Sequence, residues 1–441
     1  METIRVGLLG LGVVGCGVVK TIRSQEKKLE ERLGKRVEIV KILVRDLDKE
    51  RLADVDKSLL TTNFGEVLAS NADVIIEVIG GVEPTGDYVK QALRQGCHVV
   101  TANKELLAKQ GEELTRLANQ HRVHLAYEAS VAGGVPILSV LRQFLRTNEI
   151  TKVQGIINGT TNYILTQMEK HRIGYQEALA DAQRLGYAEA DPTADVEGYD
   201  ATYKLLILSQ LVFGEAEAWE ETERKGISQL RLSELQFAKE LGCRVKLLAQ
   251  AKKTAAGIRM SVRPTLLAAD HPLAQMDGAF NGVQVTGNIV GDLLFTGRGA
   301  GELPTASAVV EDLAYLLTQP FAPQPEWRIR SEKERREEPL EQENAWYLYL
   351  ETTQPDRDPY RLLQILLNAG IDVKKFRTEY HEQEVLRCGM IVHAFSKEVL
   401  ERLIGNIAST ISITPVLLAD SEEQGEEVGQ VQPELVVHES L

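Results

Sequence analysis

The sequence predicts an α/β protein: a doubly wound parallel sheet at the N-terminus, a second α+β domain behind it, and a small βαββαβ module near the C-terminus. Three observations lead there. Short apolar runs alternate with longer amphipathic stretches over the first 130 residues. Near residue 130 the texture changes to long helices mixed with β-rich pieces. Beyond a charge-dense stretch, residues 345–419 run strand, helix, strand, strand, helix, strand. Strands alternating with helices imply a parallel sheet covered on both faces, and the C-terminal order is the split, ferredoxin-like plan.

In order along the chain, residues 4–9, 37–44, 73–79, 97–101 and 123–126 are predicted strands of the first domain, 1–129. Residues 130–301 form the second, carrying the chemistry and any oligomer contacts. It includes the β-rich piece 282–290. The helical pattern at 306–317 is expected to pack back onto the first domain, making 302–321 part of it. Residues 322–344, "APQPEWRIRSEKERREEPLEQEN", are dense in charge, proline and glutamine and read as a solvated linker. In the module that follows, "AWYLYLET" alternates as a half-buried strand, and "PYRLLQILLNAG" is a helix stopped by Gly370. "SKEVLERLIGNIAST" is a helix capped by Ser396. Residues 420–441 hold seven acidic residues and no lysine or arginine, the composition of a disordered tail.

With 441 residues there is room for about three domains. A net charge of −14 argues against a nucleic-acid or anionic-membrane surface, either of which calls for clustered positive charge. The four cysteines, Cys16, Cys97, Cys243 and Cys388, have no CxxC spacing, which fits buried thiols in a reducing compartment. A strand starting at Ile4 leaves no space for a signal segment, and no apolar run reaches the ~18 residues that span a bilayer. A cytoplasmic protein is expected.

The first strand runs into "GLGVVG", with Gly10, Gly12 and Gly15 in G-x-G-x-x-G register. The first glycine permits a tight turn, the second lets a pyrophosphate approach the backbone, and the third lets helix and sheet close up. The phosphates then meet the free N–H groups of a helix start, here at Val13 and Val14. The setting, strand before and helix after, points to a Rossmann-type dinucleotide site. At the end of the second strand, "KILVRDLDKER" places Arg45 first and Asp46 second. A guanidinium suits the 2′-phosphate of NADP, while Asp46 keeps NAD open.

"LGYAEADPTADVEGYDATYKLLILSQLVFG" is the most informative stretch. Asp200 and Lys204, at i and i+4, share a helix face. Such a pair is ordinarily a solvated salt bridge, yet Leu205, Leu206, Ile207, Leu208, Leu211, Val212 and Phe213 surround this axis, so the helix is expected to be buried nearly all round. A lysine there must find a partner or shift its pKa. Upstream, Glu189, Asp191, Asp195 and Glu197 crowd acids into a loop. Buried lysine, carboxylates and a nicotinamide together suit an amino-alcohol substrate: the acids hold its ammonium and the lysine exchanges a proton with its hydroxyl.

"VVTANKELLA", "YEASVAGGVPIL", "GIINGTTNYIL", "LGYAEADPTADVEGYDATYKL" and "TGRGAGELPTASAV" resemble, in order, the signature blocks of the homoserine dehydrogenase family, over residues 4 to about 318. The resemblance implies interconversion of L-homoserine and L-aspartate 4-semialdehyde in threonine, methionine and isoleucine biosynthesis, and a homo-oligomer, dimer or tetramer. No kinase domain precedes Ile4, as in the monofunctional form. By position it makes Lys204 the proton donor and acceptor, with Asp200 positioning it. Glu189, Asp195 and Thr160 fall at substrate positions, Lys104 lies near nicotinamide and substrate, and Gly301 belongs to the cofactor site. It also implies a structural monovalent cation, sodium, held mainly by backbone carbonyls at Glu128, Val131, Gly133 and Val135. Residues 345–419 resemble an ACT domain, a small-amino-acid sensor. Tyr360 stands at that family's usual effector-facing glycine, which argues against threonine binding there.

Two other readings compete: an oxidoreductase for another semialdehyde, and an amino-acid sensor on a dead dehydrogenase body. The first needs an altered 185–204 block and the second a lost Lys204 or Lys104. Neither alteration is present.

Overall fold

A computed structural model of the chain describes residues 2–50, 53–254, 257–330, 345–352, 359–381, 385–393 and 410–417. The predicted helix from Ser396, the acidic stretch 420–441 and the Tyr360 side chain lie outside the described residues. The chain divides into two units. The first holds Met1–Gln236, Val245–Thr265 and Met276–Glu341; the second holds Phe237–Arg244, Leu266–Gln275 and Gln342–Leu441.

The first unit opens with β1 (Thr3–Leu9), α1 (Val13–Ser24), α2 (Glu26–Leu33), β2 (Arg36–Leu43), β3 (Leu60–Thr61), α3 (Phe64–Ala69), β4 (Val74–Glu77), α4 (Thr85–Arg94), β5 (His98–Thr101), α5 (Lys104–His121) and β6 (Leu125–Ala126). The six strands form a parallel sheet in the order β3-β2-β1-β4-β5-β6. Val6, Leu8, Val74, Ile75, Ile76, Val99 and Val100 are fully buried, as strands covered on both faces must be. Strand order reverses between β1 and β4, so a crevice opens at their carboxyl ends.

Next come α6 (Ile137–Gln143), β7 (Ile150–Ile156), α7 (Gly159–His171), α8 (Tyr175–Arg184), α9 (Thr193–Val196) and α10 (Tyr199–Phe213). They are followed by β8 (Ala216–Glu217), β9 (Glu223–Arg224), α11 (Leu232–Glu240), β10 (Cys243–Thr254), β11 (Gly257–Ala268), β12 (Phe280–Gly287), β13 (Gly291–Arg298) and α12 (Glu302–Thr318). In this second sheet β7 lies between β12 and β10, antiparallel to both, and β13 lies outside β12. Ala306, Val309, Val310 and Leu313 of helix α12 share one core with Ile4, Val6, Leu8, Val18 and Val19. No helix among the described residues is long and apolar enough to cross a membrane.

The stretch 322–330 departs from its reading as solvated linker. Trp327 is buried, edge-on to the Tyr127 ring, and its indole fills the space where a Cβ on Gly111 would stand. The Gln324 amide donates to the Leu125 carbonyl, and that of Gln210 to the Arg328 carbonyl. Then β14 (Ile329–Arg330) pairs with β8. One indole outweighs the polar composition around it, because it offers more apolar area than its neighbours cost to order. Trp327→Ala is therefore expected to destabilise the protein by about 3–5 kcal/mol, read as a lower urea midpoint at unchanged slope. A loss below about 1 kcal/mol would restore the linker reading.

In the second unit, β15 (Trp346–Thr352), α13 (Pro359–Asn368), β16 (Asp372–His381), β17 (Val385–His393) and β18 (Thr410–Leu417) build an antiparallel sheet ordered β18-β15-β17-β16. Its core is Trp346, Leu348, Leu350, Leu366, Ile371, Cys388, Met390 and Val392.

Candidate active site

Gly10, at φ 102°, makes the turn after β1, a conformation costly for any residue with a Cβ. A Cβ there would press on the Val78 carbonyl oxygen at 2.9 Å, and one on Gly15 would collide with the Gly10 carbonyl. Above Gly12 nothing lies within 4 Å, so the side facing the crevice is open. Gly12 caps α1 with no side-chain bond, which leaves the N–H groups of Val13 and Val14 to an anion. Gly10 and Gly15 thus stand where a Cβ would not fit, and Gly12 stands where nothing blocks approach to the backbone. Past β2, Arg45 is exposed, whereas the Asp46 carboxylate accepts the Asp48 N–H at 2.9 Å.

The other wall of the crevice rests on Glu77, which sequence reasoning missed. This fully buried carboxylate ends β4 and accepts the N–H groups of Ile79 (2.8 Å) and Gly80 (3.1 Å) and the Thr101 hydroxyl. Burial pushes its carboxyl up, against those bonds. The predicted strand 73–79 therefore ends early, its last residues turned into a loop. Thr101 Oγ1 in turn accepts the Asn103 N–H, and Asn103 donates to the Gly81 carbonyl and caps α5 through Leu106 N. Lys104 is the first residue of that helix, so its base is fixed by the crevice wall.

Helix α10 starts and stops on glycines in left-handed conformation, Gly198 (φ 81°) and Gly214 (φ 73°). Asp200 to Gln210 are all buried, while Leu211, Val212 and Phe213 are only half-buried, so the burial runs less far than expected. Lys204 is 9% exposed. Its ammonium donates to Asp200 Oδ2 at 2.6 Å and to the Ile157 carbonyl at 2.9 Å. Half-buried Lys104 reaches Asp200 Oδ1 at 3.2 Å. One carboxylate thus holds two ammonium groups, one from the start of α5 and one from α10.

Asn158 completes this cluster and was also missed. It caps α7, accepting the Thr161 N–H at 2.8 Å, while its Nδ2 donates to Asp195 (2.7 Å) and Asp200 (2.9 Å). Burial opposes ionisation of Asp200, but Lys204, Lys104 and the bonds from Lys204 and Asn158 hold its carboxyl well below the usual carboxylate range. Asp195 goes the other way, raised by burial and by the Asp200 charge. Asp200 raises Lys104 in turn, against desolvation. Two carboxyls joined by one amide are driven apart, the usual mark of distinct roles in one site.

Thr160 donates to the Tyr187 carbonyl at 2.7 Å, tying the start of α7 to the acidic loop. Within that loop Glu189 is exposed, and Asp191 is spent on Thr193.

The segment 128–135 is buried except at Gly134, and turns on Ala132 and Gly133, both at φ 55°. A Cβ on Gly133 would meet the Gly299 carbonyl oxygen, and Gly134 N donates to the Arg298 carbonyl at 3.1 Å. Two left-handed residues in a row make this a tight turn, with no room for a side chain at position 133. The Glu128 side chain is engaged elsewhere, its carboxylate accepting the N–H groups of Leu138 (2.9 Å) and Ser139 (2.7 Å) at the start of α6. Gly301, at φ 127°, caps α12 where Glu302 takes the Lys20 ammonium at 2.6 Å.

Two family models match the chain: the homoserine dehydrogenase NAD-binding domain over residues 10–128 and homoserine dehydrogenase over residues 136–314. A homoserine dehydrogenase of Bacillus subtilis (strain 168) is 49% identical over 318 residues, 72% of this chain and 73% of that protein. The crystal structure of a homoserine dehydrogenase from Thiobacillus denitrificans superposes with a TM-score of 0.83 at 37% identity, covering 95% of this chain and 99% of that one. A hyperthermophilic archaeal homoserine dehydrogenase in complex with NADPH superposes with a TM-score of 0.61 at 28% identity, covering 73% and 100%.

Proposed function

The chain belongs to the homoserine dehydrogenase family and is an NAD(P)-dependent oxidoreductase, and from that premise we propose that Lys204 exchanges the proton with the substrate oxygen. The observation that carries this is the Lys204 ammonium, nearly sealed from solvent, bonded to Asp200 and to the Ile157 carbonyl. A general acid must be held within reach of the oxygen that it protonates.

A reduced nicotinamide dinucleotide, held at the turn of Gly10, Gly12 and Gly15, would supply the hydride that the aldehyde carbon takes in the reducing direction. Lys204 stabilises the negative charge that gathers on the oxygen and then gives up its proton, and homoserine leaves as the alcohol. Asp200 fixes the direction of the Nζ–H bond, and Asn158 fixes Asp200. Lys104, on the cofactor wall and paired to the same carboxylate, stands where it can touch nicotinamide and substrate together. Glu189, Asp195 and Thr160 are read as the substrate's amino-acid contacts. Asp195 already faces the cluster through Asn158, which supports its part.

The 2′-phosphate of NADP is read as the partner of Arg45. Its guanidinium is exposed past β2, while Asp46 is drawn into a turn of its own. Arg45→Glu should raise the Michaelis constant for NADPH at least tenfold more than that for NADH, because a carboxylate repels the phosphate yet can bond a ribose hydroxyl. Equal changes in steady-state assays with both cofactors would remove Arg45 from that role.

Sodium is read into the turn 128–135, where the Glu128, Val131, Gly133 and Val135 carbonyls would hold it. The left-handed pair at Ala132 and Gly133 and the burial of the turn support this. Residues 345–419 are read as an ACT-like module, supported by the βαββ…β order and the β18-β15-β17-β16 sheet.

A further inference from the structure

Asn281 has no role in the chemistry described so far, yet its position demands one. It sits on β12 opposite Gly297 of β13 and is fully buried. Neither its Nδ2 nor its Oδ1 has a hydrogen-bond partner among the described residues. A buried amide left with both atoms unpaired is one of the costlier defects a core can carry, and native interiors keep few of them. The amide lies directly over Gly299, whose missing Cβ gives it room, and the Gly299 carbonyl meets Gly133. Gly134 N bonds the Arg298 carbonyl, and the Val135 side chain lies 2.9 Å from where a Cβ on Gly297 would stand. The unpaired amide therefore borders the turn 131–135 on the side of the 297–301 segment.

We infer that Asn281 is a side-chain ligand of the monovalent cation, its Oδ1 adding to the shell of backbone carbonyls from the turn 128–135. This rests on the cation reading above and adds to it a residue that carbonyl positions alone do not name. Oxygen is the donor that such an ion takes, and an amide oxygen supplies it without the charge of a carboxylate. With Asn281 as a ligand, the cation fastens the turn 131–135 to β12, against Gly299, two residues before Gly301 starts α12. Ion binding and the shape of the cofactor crevice are then coupled through one side chain.

The test is thermal unfolding of the full chain in sodium chloride against choline chloride at equal chloride, with no substrate or cofactor. Wild type should gain at least about 2 °C in sodium, since a ligand that binds only the folded state raises the midpoint. Asn281→Leu, similar in volume but with nothing to pair, should lose that gain. Asn281→Asp keeps the oxygen and adds a charge, so it should reach its half-maximal shift at a sodium concentration at least threefold lower. A sodium gain in Asn281→Leu equal to that of wild type overturns the assignment of Asn281. No sodium gain in wild type overturns the cation reading itself, and the assignment with it. Should the leucine variant fail to fold, the aspartate variant decides: a lower half-maximal sodium concentration supports the ligand, and an unchanged one refutes it.

Discussion

Lys204→Met is expected to abolish turnover while leaving the dissociation constant for NADPH within about twofold of wild type. The side chain keeps its length and apolar stem on a helix whose neighbours are all buried, so the fold should tolerate it. What disappears is the ammonium bonded to both Asp200 and the Ile157 carbonyl. Loss of a positioned general acid costs on the order of 10²–10⁴ in rate. Cofactor affinity should hold, because Gly10, Gly12 and Gly15 belong to the β1–α1 turn and its helix start, not to α10. Stopped-flow reduction of aspartate semialdehyde gives the rate, and quenching of NADPH fluorescence gives the affinity. A variant that keeps more than a tenth of wild-type turnover would show that the proton comes from elsewhere.

Asp200→Asn should be nearly as damaging, for a different reason. The carboxylate takes Lys204 at 2.6 Å, Asn158 at 2.9 Å and Lys104 at 3.2 Å. An amide of the same shape leaves two ammonium groups facing each other with no charge between them, in a site too dry to screen them. We expect kcat/KM to fall on the order of 10²-fold. The sign of the pH effect is also set. Asp200 is the first cause raising Lys104, so without it Lys104 deprotonates at lower pH than in wild type. Acetic anhydride labelling of Lys104, followed by mass spectrometry across a pH series, should shift to lower pH in the variant. An unshifted labelling curve, or a kcat/KM within threefold of wild type, would remove Asp200 from the charge network.

The parts of this site that could be read from sequence are those whose physics is local. A glycine at φ 102° and a glycine that must lack a Cβ show as glycines five positions apart. A lysine on an all-round apolar helix shows as a spacing of four from its acid. Asn158 and Glu77 were hidden for the opposite reason. Asn158 meets Asp200 across 42 positions, and Glu77 meets Thr101 across 24, and their local bonds to backbone N–H groups leave no residue pattern that would point to those distant partners. Glu128 was named for its carbonyl, but its side chain serves the start of α6, where it is the acceptor for Leu138 and Ser139 from ten and eleven residues upstream. The stretch 322–330 misled through averaging: charge and proline dominate its composition, whereas Trp327 alone decides where it goes. A lone indole in a polar stretch was the available signal.

The seam from Gln324 to Arg330 also sets an order of events at the ribosome. Gln210, near the end of the catalytic helix, waits 118 residues for the Arg328 backbone that covers it. At ~5–20 residues per second a ribosome takes roughly 6–24 s to supply it. For that interval the nascent chain already carries Lys204, Asp200 and the glycine turn, but the strand that closes over β8 has not been made. The seam over β8 therefore closes only after residue 330 has left the tunnel, well after α10 itself has been made.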